Sequence, residues 1–192
     1  MASEHESVDL VADDTVKNVS LAVAIAALTA VLAQVSIPLP GGVPFSLQPF
    51  GPFLAGLVLG PLWGGFALAV YVLAGVAGAP VFANGGAGLG SVAGPTGGFI
   101  VGFVCSAVVI GAVAHRQLRP RPLTALDERF QVLALAAGMA VSYAVATPWF
   151  ASVQGWSLAR AASFMAPFAA TDVVKAAIVV AVVGSVSGLP QR

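Results

Sequence analysis

The sequence predicts an all-α fold, specifically a polytopic membrane protein built as a six-transmembrane-helix bundle. Composition is the first observation: of 192 residues, 58% are hydrophobic and only 8% charged, with a mean hydropathy of +0.96. A soluble domain carries about a quarter charged residues, so eight Lys+Arg and eight Asp+Glu cannot coat a globule of this size. Charge placement is the second. No Asp, Glu, Lys or Arg lies between Lys17 and Arg116, between Arg129 and Arg160, or between Lys175 and Arg192, and a spanning helix needs about 20 mostly apolar residues. The third is the punctuation of these runs by Pro and Gly clusters, which cut them into helix-sized pieces. Together these features exclude a soluble enzyme, a nucleic-acid binder and a disordered chain. The net charge of +0 gives no field to steer the chain towards DNA or RNA.

Taken in order, the acidic segment 1–18, with Glu4, Glu6, Asp9, Asp13 and Asp14, reads as a solvated tail. It lacks the basic region of a cleaved signal peptide, so the first apolar segment is expected to stay as a membrane helix. That span covers residues 19–36 and stops at Ile37-Pro38-Leu39-Pro40-Gly41-Gly42. A second, short span over 49–59 ends at Gly60-Pro61, and a third covers 62–77. The second is interrupted by glycine, which suggests a tilted or irregular element buried against its neighbours. A glycine-rich stretch, 83–94, separates the third span from a fourth over 95–115, where Gly94-Pro95-Thr96 reads as a helix start. The fifth covers 130–150 and the sixth 167–187, so the transmembrane domain extends over 19–188 and leaves a short tail, 189–192.

Orientation follows from the basic residues in short loops. Arg116, Arg119, Arg121 and Arg129, half of all the basic residues, sit between spans four and five. That loop is expected in the cytoplasm, and both termini with it. Three loops, 38–48, 79–94 and 151–166, then fall outside, together with the polar residues that need explaining.

Asp172 and Lys175 stand three apart near the start of span six, on one helix face. Each charge in a bilayer costs roughly 2.5–3.5 kcal/mol on insertion scales. The plain alternative is an intrahelical ion pair that serves only its own burial; the reading favoured here is a ligand site facing the bundle interior, with Thr171 on the same side. Asp offers acceptor oxygens for a pair of N–H donors, and Lys a point charge for a carboxylate.

In VFANGGAGLGSVAGPTGG the Gly86-x-Gly88-x-Gly90 spacing has no βαβ context and is not a dinucleotide fingerprint. Its glycines, Gly85 and Gly86 among them, allow close backbone approach, and Asn84 can read an amide or urea edge. A surface loop is the plain alternative; a lid over an outward pocket fits its length better. Gln48 precedes span two among aromatics. Trp149, Phe150 and Trp156 gather at the end of span five, either as an interfacial belt or as pocket walls. Ala22, Ala26 and Ala30 form a small-residue stripe in span one, suited to internal packing or to docking another membrane protein. Gly56-x-x-x-Gly60 and Gly94-x-x-x-Gly98-x-x-x-Gly102 read as internal seams. Cys105, alone in an apolar run, reads as a small buried hydrophobe, and no disulfide or zinc site is available. His115 falls in the basic loop and His5 in the tail. No Walker A, HExxH or GxSxG sequence occurs, so the chain cannot couple ATP by itself.

Three segments, SIPLPGGVPFSLQPFGPFLAGLVLGPLWGG (36–65), YVLAGVAGAPVFANGGAGLGSVAGPTGGFIVGF (71–103) and PFAATDVVKA (167–176), resemble BioY, the biotin-binding S component of energy-coupling factor (ECF) transporters. The resemblance extends over nearly the whole chain from Ser20. It implies a six-helix membrane protein of the S-component type that captures biotin from outside. It also implies partnership with the transmembrane coupling protein EcfT and two cytoplasmic ATPase subunits, which alone use ATP; no cofactor is expected, and biotin is the transported ligand. On matching positions, Asp172 and Lys175 are the charged pair of the biotin motif in span six, Asn84 lies in the substrate loop, and Gln48 in the VPxxLQxF-like segment. Gly85, Gly86 and Tyr71 fall in the second of these segments and join the substrate-binding set that the resemblance implies. Ala22, Ala26 and Ala30 match the face that contacts the coupling protein. Nothing between Lys17 and Arg116 is basic, so the biotin carboxylate would fall to Lys175, Arg160 or backbone N–H groups. Rival readings are an S component for another vitamin, of the thiamine or riboflavin class, and an intramembrane lipid enzyme using Asp172. A channel is disfavoured, since no span carries a polar stripe.

Overall fold

The computed structural model describes residues 13–187; most of the acidic tail, with Glu4, His5, Glu6 and Asp9, and the C-terminal segment from 188 lie outside them. The described chain is helical nearly throughout. The long elements are α1 (Asp13–Gln34), α2 (Phe50–Val76), α4 (Gly97–His115), α5 (Glu128–Gln154) and α6 (Leu158–Ser187), with a short α3 (Gly88–Ala93) and a two-stranded hairpin, β1 (Ser36–Ile37) and β2 (Phe45–Ser46). Strands β1 and β2 pair antiparallel, with Ser36 opposite Ser46 and Ile37 opposite Phe45. Helices satisfy every backbone group within the segment, which a hydrocarbon environment requires.

Five helices are long and apolar enough to cross a membrane, where the sequence predicts six. The difference lies in α2, which contains both the second and the third expected spans. Its backbone leaves helical geometry at Gly60 (φ 71, ψ −173), just before Pro61; glycine tolerates that positive φ, and proline has no N–H to lose. A Cβ placed on Gly64 would lie 2.7 Å from the carbonyl oxygen of Ala55, although the two would stand roughly 13 Å apart along a straight helix. The chain therefore folds back on itself, and residues 50–59 and 61–76 run side by side.

This reversal sorts the molecule into two ends. At one, Gly60 meets Pro120 and Leu57 meets His115. At the other, Gln48 reaches Tyr71, Gln154 reaches Gly41, and Trp149 reaches Gly94. Small residues make the seams between helices. A Cβ on Gly98 would come within 2.6 Å of Trp149 and 2.7 Å of Ala146, and one on Gly56 within 2.6 Å of Ile110. The two glycine repeats are thus internal seams, as their spacing suggests.

Helix ends depart from the hydropathy reading. α1 is already helical at Asp13, the first described residue, and so reaches back beyond residue 19. α6 begins at Leu158 rather than 167 and carries Pro167 inside it. Ser157 Oγ accepts from Arg160 N, a cap that starts the helix earlier than the proline. The expected outer loop 151–166 shrinks to a turn at Gly155 (φ 62). Cys105 is exposed on the bundle surface, not buried as expected. His115 is the last residue of α4 and only 1% exposed, not part of a solvated loop.

The alanine stripe also finds its place. Ala22 and Ala26 are 0% and 7% exposed in a core cluster with Ala55, Leu59 and Leu68 of α2, and Ala30 packs against that cluster. Within this chain the stripe packs against α2. The outward face of α1 carries Val23, Leu28 and Val31 instead.

Candidate ligand-binding site

A cavity of ≈ 190 Å³ opens at the end of the bundle opposite Gly60, between the β-hairpin, the glycine-rich segment and helices α4, α5 and α6. That is smaller than the roughly 300–1,000 Å³ usual for drug-sized ligands, a scale suited to one small solute.

Asp172 forms its polar wall. Lys175 Nζ donates to Asp172 Oδ1 at 2.6 Å, one helical turn along α6. Tyr143 Oη, from α5, donates to Asp172 Oδ2 at 2.8 Å. Asp172 is 5% exposed, so without these two donors its burial would be costly. A carboxylate has about four lone-pair sites, and the two internal donors leave one free on each oxygen. Both Asp172 and Lys175 line the cavity.

Gln48 enters from the segment after β2. Its Nε2 donates to Tyr71 Oη at 2.8 Å, and Tyr71 donates onward to Val81 O at 3.0 Å. The amide's Oε1 and its second N–H are thereby left for Gln48 to offer a ligand. Tyr71 does not line the cavity; it is 1% exposed and stands behind Gln48. Asn84 lines the cavity from the glycine-rich segment, in the left-handed region (φ 57, ψ 30). Gly85 and Gly86 shape that turn without lining the cavity: Gly85 N donates to Gln34 Oε1, and Gly86 O accepts from Phe82 N. The segment is not irregular throughout, since α3 occupies its second half.

The apolar walls are Phe45, Phe99, Phe103 and Phe168. Phe45 stacks on Phe168, with centroids 4.4 Å apart at 16°, and Phe99 meets the Tyr143 ring edge-on at 5.3 Å. Flat aromatic faces of this kind bury a compact ring system. The cluster at the end of α5 has a different role. Trp149 Nε1 donates to Gly94 O, and Phe150 and Trp156 pack with Phe164, which meets Phe168 behind the cavity wall. Arg160 lies over the Trp156 ring at 3.9 Å and does not line the cavity. Thr171 donates to Phe168 O on its own helix and faces away from the site.

The structure therefore gathers Asp172, Lys175, Asn84 and Gln48 around one cavity. It adds Tyr143, Phe99, Phe103 and Phe168, none of which sequence reasoning singled out. An isolated aromatic in a charge-free helix looks the same whether it faces core, lipid or ligand; only Tyr143, a polar group within a long apolar run, offered a signal. Among the described residues no group of three or more His, Cys, Asp or Glu comes together to hold a metal ion.

Comparison with known proteins points the same way. The family model described as "BioY family" matches residues 4–191. The probable biotin transporter BioY of Pyrococcus horikoshii is 36% identical over 172 residues, covering 90% of this chain and 97% of its own. The biotin transporter BioY of Rhodobacter capsulatus is 38% identical over 174 residues, 84% and 88% of the two chains. The crystal structure of an S-component for biotin from an ECF-type ABC transporter superposes with a TM-score of 0.82, covering 94% of this chain and 96% of that one. At 22% sequence identity, that likeness speaks for the fold.

Proposed function

The chain belongs to the BioY family, and from that premise we propose that it captures biotin outside the cell and delivers it for uptake as the substrate-binding component of an ECF-type transporter. Biotin presents a ureido group with two N–H donors and one carbonyl, an apolar bicycle and a valerate tail. The observation that carries the reading is the state of Asp172. Its carboxylate is aimed at the cavity, neutralised by Lys175, held by Tyr143, and retains one free acceptor site on each oxygen for the two ureido N–H groups. Gln48 Oε1 adds a further acceptor, and Phe45, Phe99 and Phe168 cover the bicycle.

Lys175 serves chiefly to balance Asp172. Among the described residues it is the one cationic side chain lining the cavity, and it is ion-paired with that carboxylate, while Arg160 is stacked on Trp156. The valerate carboxylate is then left at the mouth, where water meets its charge.

The end bearing Gly60 also carries Arg116, Arg119 and Arg121 in the α4–α5 connection, the disposition expected of a cytoplasmic face. Our reading places the cavity at the outer face of the cell membrane and both termini in the cytoplasm. Having no Walker A sequence, the chain relies on a transmembrane coupling protein and two ATPase subunits to drive release of the vitamin inward.

Mass spectrometry of small molecules retained by the detergent-purified protein, followed by titration with biotin, thiamine and riboflavin, tests the assignment. Retained biotin and selective biotin binding are expected. Selective binding of another vitamin would reassign the ligand, and turnover of a lipid by the isolated chain would replace transport with catalysis.

A further inference from the structure

The glycine-rich segment is tied to the C-terminal end of α1 by a group of hydrogen bonds that the ligand reading does not use. Ser36 Oγ donates to Asn84 Oδ1 at 2.8 Å and accepts from Asn84 N at 3.2 Å. A hydroxyl has a single proton, so the two bonds fix each other's direction. On either side of Asn84, Gln34 Nε2 donates to Phe82 O at 3.2 Å and Gln34 Oε1 accepts from Gly85 N at 3.2 Å. These contacts hold Asn84 in a left-handed conformation that a residue with a side chain rarely adopts.

The consequence is chemical. With Oδ1 turned towards the Ser36 hydroxyl, the opposite side of the Asn84 amide presents Nδ2, a group with two N–H donors. Of its polar neighbours, Asp172 and Gln48 Oε1 offer acceptors, and Lys175 is paired with Asp172 through one of its three N–H donors. We propose that Ser36, supported by Gln34, is a positioning residue that sets the polarity of Asn84 and so makes the site demand a carbonyl oxygen on its ligand. This inference rests on the biotin reading and deepens it: Asp172 recognises the ureido N–H groups, and Asn84, held by Ser36, recognises the ureido oxygen. Were the amide free to turn, its own carbonyl could face that oxygen and repel it.

A double-mutant cycle read with two ligands tests this. The ligands are biotin and 2-iminobiotin, the guanidine analogue in which the ureido oxygen becomes an N–H group. Wild type is expected to prefer biotin. Ser36→Ala should weaken biotin binding about threefold to tenfold, the loss of one positioning hydrogen bond, while affecting 2-iminobiotin less, so that the preference narrows. Ser36→Thr, which keeps the hydroxyl, should restore it. In an Asn84→Ala background, Ser36→Ala should change biotin affinity by less than about twofold, the level of non-interacting sites. An equal loss for both ligands, or the same loss with and without Asn84, would overturn the positioning role and leave biotin capture intact. A wild-type protein that does not bind biotin would overturn the capture reading, and the ureido selectivity with it.

Discussion

Each end of the bundle buries a polar cluster, and the two clusters use their hydrogen bonds differently. At the Gly60 end, His115 Nε2 donates to Leu57 O at 3.0 Å and its Nδ1 accepts from Arg121 N at 2.9 Å. Arg121 Nη2 donates to Ala114 O, and Gln131 Nε2 to Leu126 O. All of these partners are main-chain groups. They lace the α2 reversal to the end of α4 and close the loop beneath it. At the cavity end Tyr71, Trp149 and Gln154 also bond main-chain carbonyls, but the groups on the cavity wall are held side chain to side chain, Tyr143 and Lys175 to Asp172 and Gln48 to Tyr71. Acceptor capacity is left over, and it faces a void. Polar groups tied to backbone hold the fold, even though Arg121 Nε and Gln131 Oε1 find no partner there; polar groups that satisfy one another around a cavity keep something to offer a ligand.

Four substitutions would break or sharpen that contrast. The largest effect is expected from Asp172→Asn, which removes the charge facing the ureido group and leaves Lys175 unpaired. A charge-assisted hydrogen bond is worth about 1.5–3 kcal/mol, or roughly a tenfold to hundredfold loss of biotin affinity by titration. Unchanged affinity would remove Asp172 from the site. His115→Ala comes next and should act on stability alone. It strands the Leu57 carbonyl, at about 1–3 kcal/mol for a buried unsatisfied group, seen as earlier thermal unfolding with unaltered biotin affinity. If affinity fell instead, the two ends would not be separable. Tyr143→Phe keeps the ring against Phe99 and removes the hydroxyl, so a loss of about 0.5–1.5 kcal/mol in binding, up to roughly tenfold, is expected. The smallest effect belongs to Arg160→Ala, which should leave biotin affinity within about twofold, because a surface cation–π contact contributes only about 0.5–1 kcal/mol and lies outside the cavity. A larger drop would bring the valerate carboxylate to Arg160.

The same contrast explains what could be read from residues alone. Asp172 and Lys175 stood out because a charge in an apolar helix demands a reason, and Asn84 and Gln48 because polar amides sat beside turns and aromatics. Tyr71 was legible only through the resemblance, and its place behind Gln48 could not be: the contact joins the segment just before α2 to the second arm of α2, and the reversal that brings them together depends on Gly60. The alanine stripe was ambiguous for a related reason. Small residues at four-residue spacing permit close approach by any helix, and only the packed structure shows that α2 is the one that takes it. The early start of α6 escaped notice because hydropathy marks where lipid begins, whereas capping by Ser157 marks where the helix does.

By itself, then, the sequence determined that this chain is an all-helical membrane protein, where its polar end lies and which charges are out of place there. Those conclusions follow from the cost of charge and of unpaired backbone in hydrocarbon, which is paid locally, residue by residue. Which helix packs on which, which way Asn84 and Gln48 turn their amides, and which of many phenylalanines meet the cavity were decided only in three dimensions. Such choices depend on partners distant in the chain, and no local pattern records them.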